Sequence, residues 1–169
     1  MELVVTVVSR DRPGLIADIA EVLVGVGADV QSSAMSLLEG HFAWTLVVDA
    51  DATPGQLQEL LLPVCPHGVT ISELGPEVSE APPAADRLLV SVHGADRIGI
   101  VAAVARALAD ADGNIVELTT HRGSGTYVAI ADVEFPRPMD LDQMAAELKA
   151  AGRKVGVVVT VQRDLADEL

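Results

Sequence analysis

The chain repeats itself, and that repeat constrains its fold more than any other feature. Offset by 85 residues, Asp11-Arg12-Pro13-Gly14-Leu15-Ile16 falls on Asp96-Arg97-Ile98-Gly99-Ile100-Val101. Between Val5 and Val30 the same offset also keeps Val5, Val7, Ala17, Ala20 and Leu23 unchanged. The pattern carries more weight than the identities. Leu15, Ile16, Ile19, Ala20, Leu23 and Val26 map onto Ile100, Val101, Val104, Ala105, Leu108 and Ala111. Both sets have the i, i+3, i+4 spacing of one buried helix face. A sequence of this kind encodes one structural unit twice.

Between the copies runs Gly75-Pro76-Glu77-Val78-Ser79-Glu80-Ala81-Pro82-Pro83-Ala84-Ala85-Asp86, with three prolines and no apolar periodicity. Such a segment reads as an extended linker. The expected organisation is a first domain over 1–75, a linker over 76–86 and a second domain over 87–165. Units of about 75 to 80 residues are marginal alone. They are therefore expected to pair and bury a shared face, within the chain or in a homodimer.

Within each copy the order of elements is the same. Leu3 to Val8 is an unbroken apolar run rich in β-branched residues, which suits a central buried strand. Leu88 to His93 repeats it. A helix is expected from near Pro13, since proline is tolerated in a first turn. It ends near Gly25-Val26-Gly27, and its counterpart near Ala111-Asp112-Gly113. Two hairpins follow, turning at Glu39-Gly40 and at Gly123-Ser124-Gly125. In their return strands Phe42, Trp44, Leu46 and Val48 share a face, as do Tyr127, Ala129, Ala131 and Val133. A second helix then starts with a cap residue and a glutamine three positions on, at Thr53/Gln56 and Asp140/Gln143. Closing strands are expected at Val69 to Leu74 and Val155 to Val161. The order is βαββαβ, twice. This α+β arrangement is the ferredoxin-like split βαβ unit, with antiparallel strands and both helices on one face.

A βαββαβ unit whose first strand runs into Asp-Arg-Pro-Gly-Leu-Ile, followed by a helix and then Gly-Ala-Asp-Val, resembles the ACT domain, a small amino-acid-sensing module. The second copy, with Asp96-Arg97-Ile98-Gly99-Ile100-Val101 and Gly113-Asn114-Ile115, resembles the same module. The tandem as a whole resembles the family of glycine cleavage system transcriptional repressors. The resemblance implies two ACT domains side by side, with the loop of one unit facing the start of the second strand in the other. Carried over, Asp11, Pro13, Gly14, Leu15 and Ile16 would face Asn114. Asp96, Gly99, Ile100 and Val101 would face Asp29. The first of these sites is expected to be the tighter. It pairs one carboxylate with an amide, whereas Asp96 and Asp29 set two carboxylates together.

The loop chemistry points the same way. A glycine at a strand-to-helix turn lets backbone approach a ligand. The first N–H groups of the helix are unpaired and suit a carboxylate, while a nearby aspartate can receive an ammonium group. The plainer alternatives are that Gly14 and Gly99 solve a tight turn and that Asp11 and Asp96 cap their helices. His121 and Arg122 lie beside the second hairpin, where exposed strand-end polar residues are the default.

Composition removes other classes. Eleven Lys+Arg against 25 Asp+Glu leave a net charge of −14. That opposes direct nucleic-acid binding, which needs clustered cations. Four scattered histidines and one cysteine, Cys65, offer no converging metal donors. Cys65 ends an apolar stripe and reads as core. No cofactor is expected, and no catalytic residue; Gly123-Ser124-Gly125 lacks the strand–elbow–helix setting of a nucleophilic serine. No stretch approaches the roughly 18 apolar residues of a membrane span, and the N-terminus lacks the basic region of a signal peptide. A cytoplasmic location is expected.

The resulting expectation is a non-catalytic sensor binding a small amino acid, with glycine or serine as candidates, between two ACT domains. It would act through a protein partner, a transcription regulator or an enzyme. The alternative is a ligand-free protein–protein interaction module.

Overall fold

The structure is a computed structural model describing residues 1–66, 68–75 and 83–163. Most of the expected linker and the last residues of the expected second domain lie outside these. The chain divides into two units, Met1–Glu80 and Ala81–Leu169.

The first unit runs β1 (Glu2–Arg10), α1 (Leu15–Gly25), β2 (Asp29–Leu38), β3 (His41–Asp49), α2 (Pro54–Leu61) and β4 (Val69–Glu73). The second runs β5 (Asp86–Ala95), α3 (Ile100–Asp110), β6 (Asn114–Arg122), β7 (Thr126–Phe135), α4 (Leu141–Val155) and β8 (Val157–Arg163). Strand order is β2-β3-β1-β4 in one sheet and β6-β7-β5-β8 in the other. All pairings are antiparallel. Each unit is the βαββαβ ferredoxin-like fold expected from sequence.

One cluster of buried side chains holds each unit together. In the first, Leu3, Val5 and Val7 of β1 meet Leu15, Ile19 and Leu23 of α1, Leu57 and Leu61 of α2, and Phe42, Leu46 and Val48 of β3. Both helices thus cover one face of the sheet. The second unit repeats this with Leu88, Val90 and Val92 against Ile100, Val104, Leu108, Met144 and Leu148.

Three local expectations need correction. First, β1 is an inner strand but is buried on one face only, alternating between Leu3, Val5 and Val7 inside and Val4, Thr6 and Val8 outside. With both helices on a single face, half of an apolar run is left to the open face. Second, α1 begins at Leu15 rather than Pro13, because Gly14 is left-handed at φ 86° and cannot belong to the helix. Third, α4 runs through Val155, and left-handed Gly156 (φ 75°) ends it, so β8 starts at Val157. The second-helix caps form as expected. Thr53 and Gln56 make a reciprocal capping box, and Asp140 accepts from the Asp142 and Gln143 N–H groups.

Candidate functional site

The strand-to-helix loops share one backbone plan in the two units. Each descends from β1 or β5 and is tied to the neighbouring hairpin by one bond. The Asp11 N–H donates to the Gly40 carbonyl at 3.2 Å, and the Asp96 N–H to the Gly125 carbonyl at 3.3 Å. Gly14 (φ 86°) and Gly99 (φ 94°) then occupy the N-cap positions in the left-handed conformation. An L side chain there would be strained, which is why glycine recurs.

Neither helix start has a side-chain cap, so Asp11 and Asp96 do not cap α1 and α3. In α1 the Leu15 N–H reaches the Arg12 carbonyl at 3.3 Å and the Asp18 N–H reaches Gly14 at 2.9 Å. The N–H groups of Ile16 and Ala17 between them have no hydrogen-bond partner among the described residues. In α3 the first return bond is Ala103 N–H to Gly99 at 2.9 Å, which leaves the N–H groups of Ile100, Val101 and Ala102. Such unpaired donors at the positive end of a helix dipole suit a carboxylate.

The side chains around the two junctions differ. Asp11 is exposed and has no ion-pair partner among the described residues, while Arg12 pairs with Asp18 at 2.6 Å. Asp96 instead is held by Arg122 of β6 at 2.9 Å. Arg97 lies over the end of α4, where a Cβ on Gly156 would stand 3.1 Å from its Nη1. A cation there suits the negative end of the helix dipole. Beside the first junction is an open depression of about 540 Å³, walled by Asp11, Gly14, Ile16 and Ala17 on one side and Met35, Leu37 and Phe42 on the other.

Within each unit, the remaining expected residues lie elsewhere. Asp29 pairs across the sheet with Asp49, whose other neighbour is Glu2. The Asp11 loop leaves the opposite end, beyond the Arg10–His41 pair. Asn114 and the Asp96 loop are separated in the same way. Eight residues of strand put about 26 Å between the two ends. The structure therefore brings together Asp11, Gly14, Leu15 and Ile16, and Asp96, Gly99, Ile100 and Val101, but not Asp29 or Asn114 with the loop of its own unit. Pro13 is exposed in the turn before Gly14.

Sequence reasoning passed over two features. The Asp96–Arg122 pair joins residues 26 positions apart, and only the hairpin register reveals it. Tyr127 is the one residue among those described with a buried side-chain polar atom that lacks a hydrogen-bond partner. Burial, and then the Asp96 carboxylate, push its hydroxyl pKa up; the Thr120 hydroxyl opposes this without reaching hydrogen-bond geometry. Cys65 is buried, and burial raises its thiol pKa, as befits core rather than a nucleophile. No group of three or more metal-donor side chains converges among the described residues. Nor is any described helix long and apolar enough to cross a membrane.

Comparison with known proteins bears on the whole chain. The ACT domain family model matches residues 2–71 and again 86–162. A UPF0237 protein of Lactococcus lactis is 38% identical over 78 residues, covering 46% of this chain and 88% of that protein. A UPF0237 protein of Pyrobaculum aerophilum is 39% identical over 75 residues, 43% of this chain and 82% of its own length. Among solved structures, an unknown protein from Galdieria sulphuraria superposes with TM-score 0.76 and 29% identity, over 97% of this chain and 98% of that one. A candidate glycine cleavage system transcriptional repressor superposes with TM-score 0.71 and 16% identity, over 96% of each chain.

Proposed function

Because the chain belongs to the ACT domain family, we propose that it is a non-catalytic regulatory protein that senses a small amino acid at its loop–helix junctions. The observation that carries this reading is the pair of left-handed glycine N-caps, each leaving helix N–H groups without side-chain or backbone partners. An α-amino acid offers a carboxylate for those donors and an ammonium group for the adjacent aspartate. At the first junction Asp11 is free for that role, and the open depression beside it accommodates a small ligand. Asp29 and Asn114 serve a junction other than their own in this reading, since each lies at the far end of its own sheet. Glycine and serine are the first ligands to try, given the fold shared with a candidate glycine cleavage system repressor.

The signal passes to a protein, a transcription regulator or an enzyme, rather than to nucleic acid, from which a net charge of −14 repels the chain. A gel shift with the purified chain should show no salt-sensitive retention of duplex DNA. The test of the amino-acid reading is a thermal-shift screen against the twenty amino acids. At about 100 times Kd a ligand adds about 2.7 kcal/mol, which raises Tm by several degrees in a chain of this size. A flat response to all twenty would favour the ligand-free interaction module instead. Exposed Met35, Leu37 and Leu38 on edge strand β2 favour that second reading.

A further inference from the structure

The two units use the same register with different side chains on the helix-covered face. In the first unit the cross-strand pairs there are Ser33–Leu46 and Met35–Trp44. In the second they are Leu118–Ala131 and Thr120–Ala129. Replacing Trp44 and Leu46 by two alanines removes most of the volume that would support the first turns of α3, and a void of about 20 Å³ remains there. A water needs roughly 10–15 Å³ and two to four polar partners. The size suffices, but the walls are almost wholly carbon, with Val90, Val92, Val104 and the two alanines among them, and Tyr127 is the one lining residue with a polar side-chain atom. This is a place for an alkyl group, not for water.

Its location ties it to the junction. Ile100 and Val101, whose N–H groups are unpaired at the start of α3, also line the void. Val101 and Leu118, 42% and 43% exposed, mark where it meets solvent.

We propose that the second unit reads the side chain of its ligand, admitting a short aliphatic group such as that of alanine or valine beneath α3 while the carboxylate sits on the helix start. This rests on the amino-acid reading above and adds to it a preference that glycine cannot satisfy. At the equivalent positions the first unit carries the larger side chains of Trp44 and Leu46.

The test is titration calorimetry of the full chain with glycine, alanine and valine. Burying an alkyl carbon is worth about fourfold in affinity, so alanine should bind about fourfold tighter than glycine, and valine tighter again. Ala129→Leu fills the void; it should bring valine down to the affinity of glycine. Ala129→Val serves the same purpose if the leucine variant fails to fold. Glycine binding as tightly as valine, or a valine preference that survives both fillings, would overturn the pocket and leave the amino-acid reading standing. Absence of binding by all three, together with a flat screen, would overturn both.

Discussion

The two units of this chain agree in backbone to a degree that their side chains do not. Both place a left-handed glycine before the first helix and tie the loop aspartate N–H to a hairpin glycine. Both carry a β-bulge at the same point of the second strand, between Val30 and Ser32 and between Ile115 and Glu117. What differs is who pairs with the loop charges and what fills the space under the helix. Asp11 has no ion-pair partner among the described residues and Asp96 is held by Arg122; Trp44 and Leu46 stand where the second unit has Ala129 and Ala131. A few glycines and an alternating apolar pattern suffice to set the frame. The residues left over then make two junctions of different character.

The largest test of that contrast is Leu46→Ala, which would give the first unit the alanine that the second already has. Leu46 is fully buried, and such truncations cost about 2–5 kcal/mol when the site cannot collapse. A loss under about 1 kcal/mol in chemical denaturation would mean that the first unit is no better packed than the second.

Next come Gly14→Ala and Gly99→Ala. A Cβ would meet open space at Gly99 and only the Arg12 guanidinium, 4.0 Å away, at Gly14. The cost is then backbone strain alone, about 1–2 kcal/mol at each. Equal losses would confirm that the two turns are the same device; a large inequality would break the equivalence.

Alkaline titration separates the units by chemistry. The first holds a buried thiol, Cys65, and the second a phenol, Tyr127, where the first has Phe42. Burial raises both pKa values. An acid whose folded pKa is raised contributes stability that is whole below the unfolded pKa and is lost as pH climbs through the folded one. Stability should therefore begin to fall above about pH 9 through the thiol and above about pH 10 through the phenol. Cys65→Ala should remove the earlier loss and Tyr127→Phe the later one, in denaturation midpoints measured across pH 8 to 11.

The smallest effect on stability is expected from Arg122→Ala. Its ion pair with Asp96 is largely exposed on the arginine side, and such pairs are worth under about 1 kcal/mol. Its effect on ligand response should be larger, because Asp96 would become as available as Asp11. Arg122 offsets the charge of Asp96, which lessens the repulsion expected where two carboxylates meet. Comparing Asn114→Ala with Asp29→Ala by calorimetry, with and without Arg122→Ala, shows which junction binds more tightly.

The sequence by itself determined the repeat, the order of elements, the buried stripe of each first helix and the two glycine junctions. These are legible because helix and strand periods, and the demand for glycine at positive φ, act over a few neighbouring residues. The start of α1 lies two positions after Pro13, where a proline signal competes with the glycine that follows it, and α4 ends later than expected, at Gly156. Only the tertiary structure decided that Asp96 meets Arg122, that a void lies beneath α3, and that the Tyr127 hydroxyl has no partner among the described residues. Each of these depends on which strands are neighbours and on how much volume opposing side chains supply together. Such quantities are properties of residues far apart in the chain, and no local pattern encodes them.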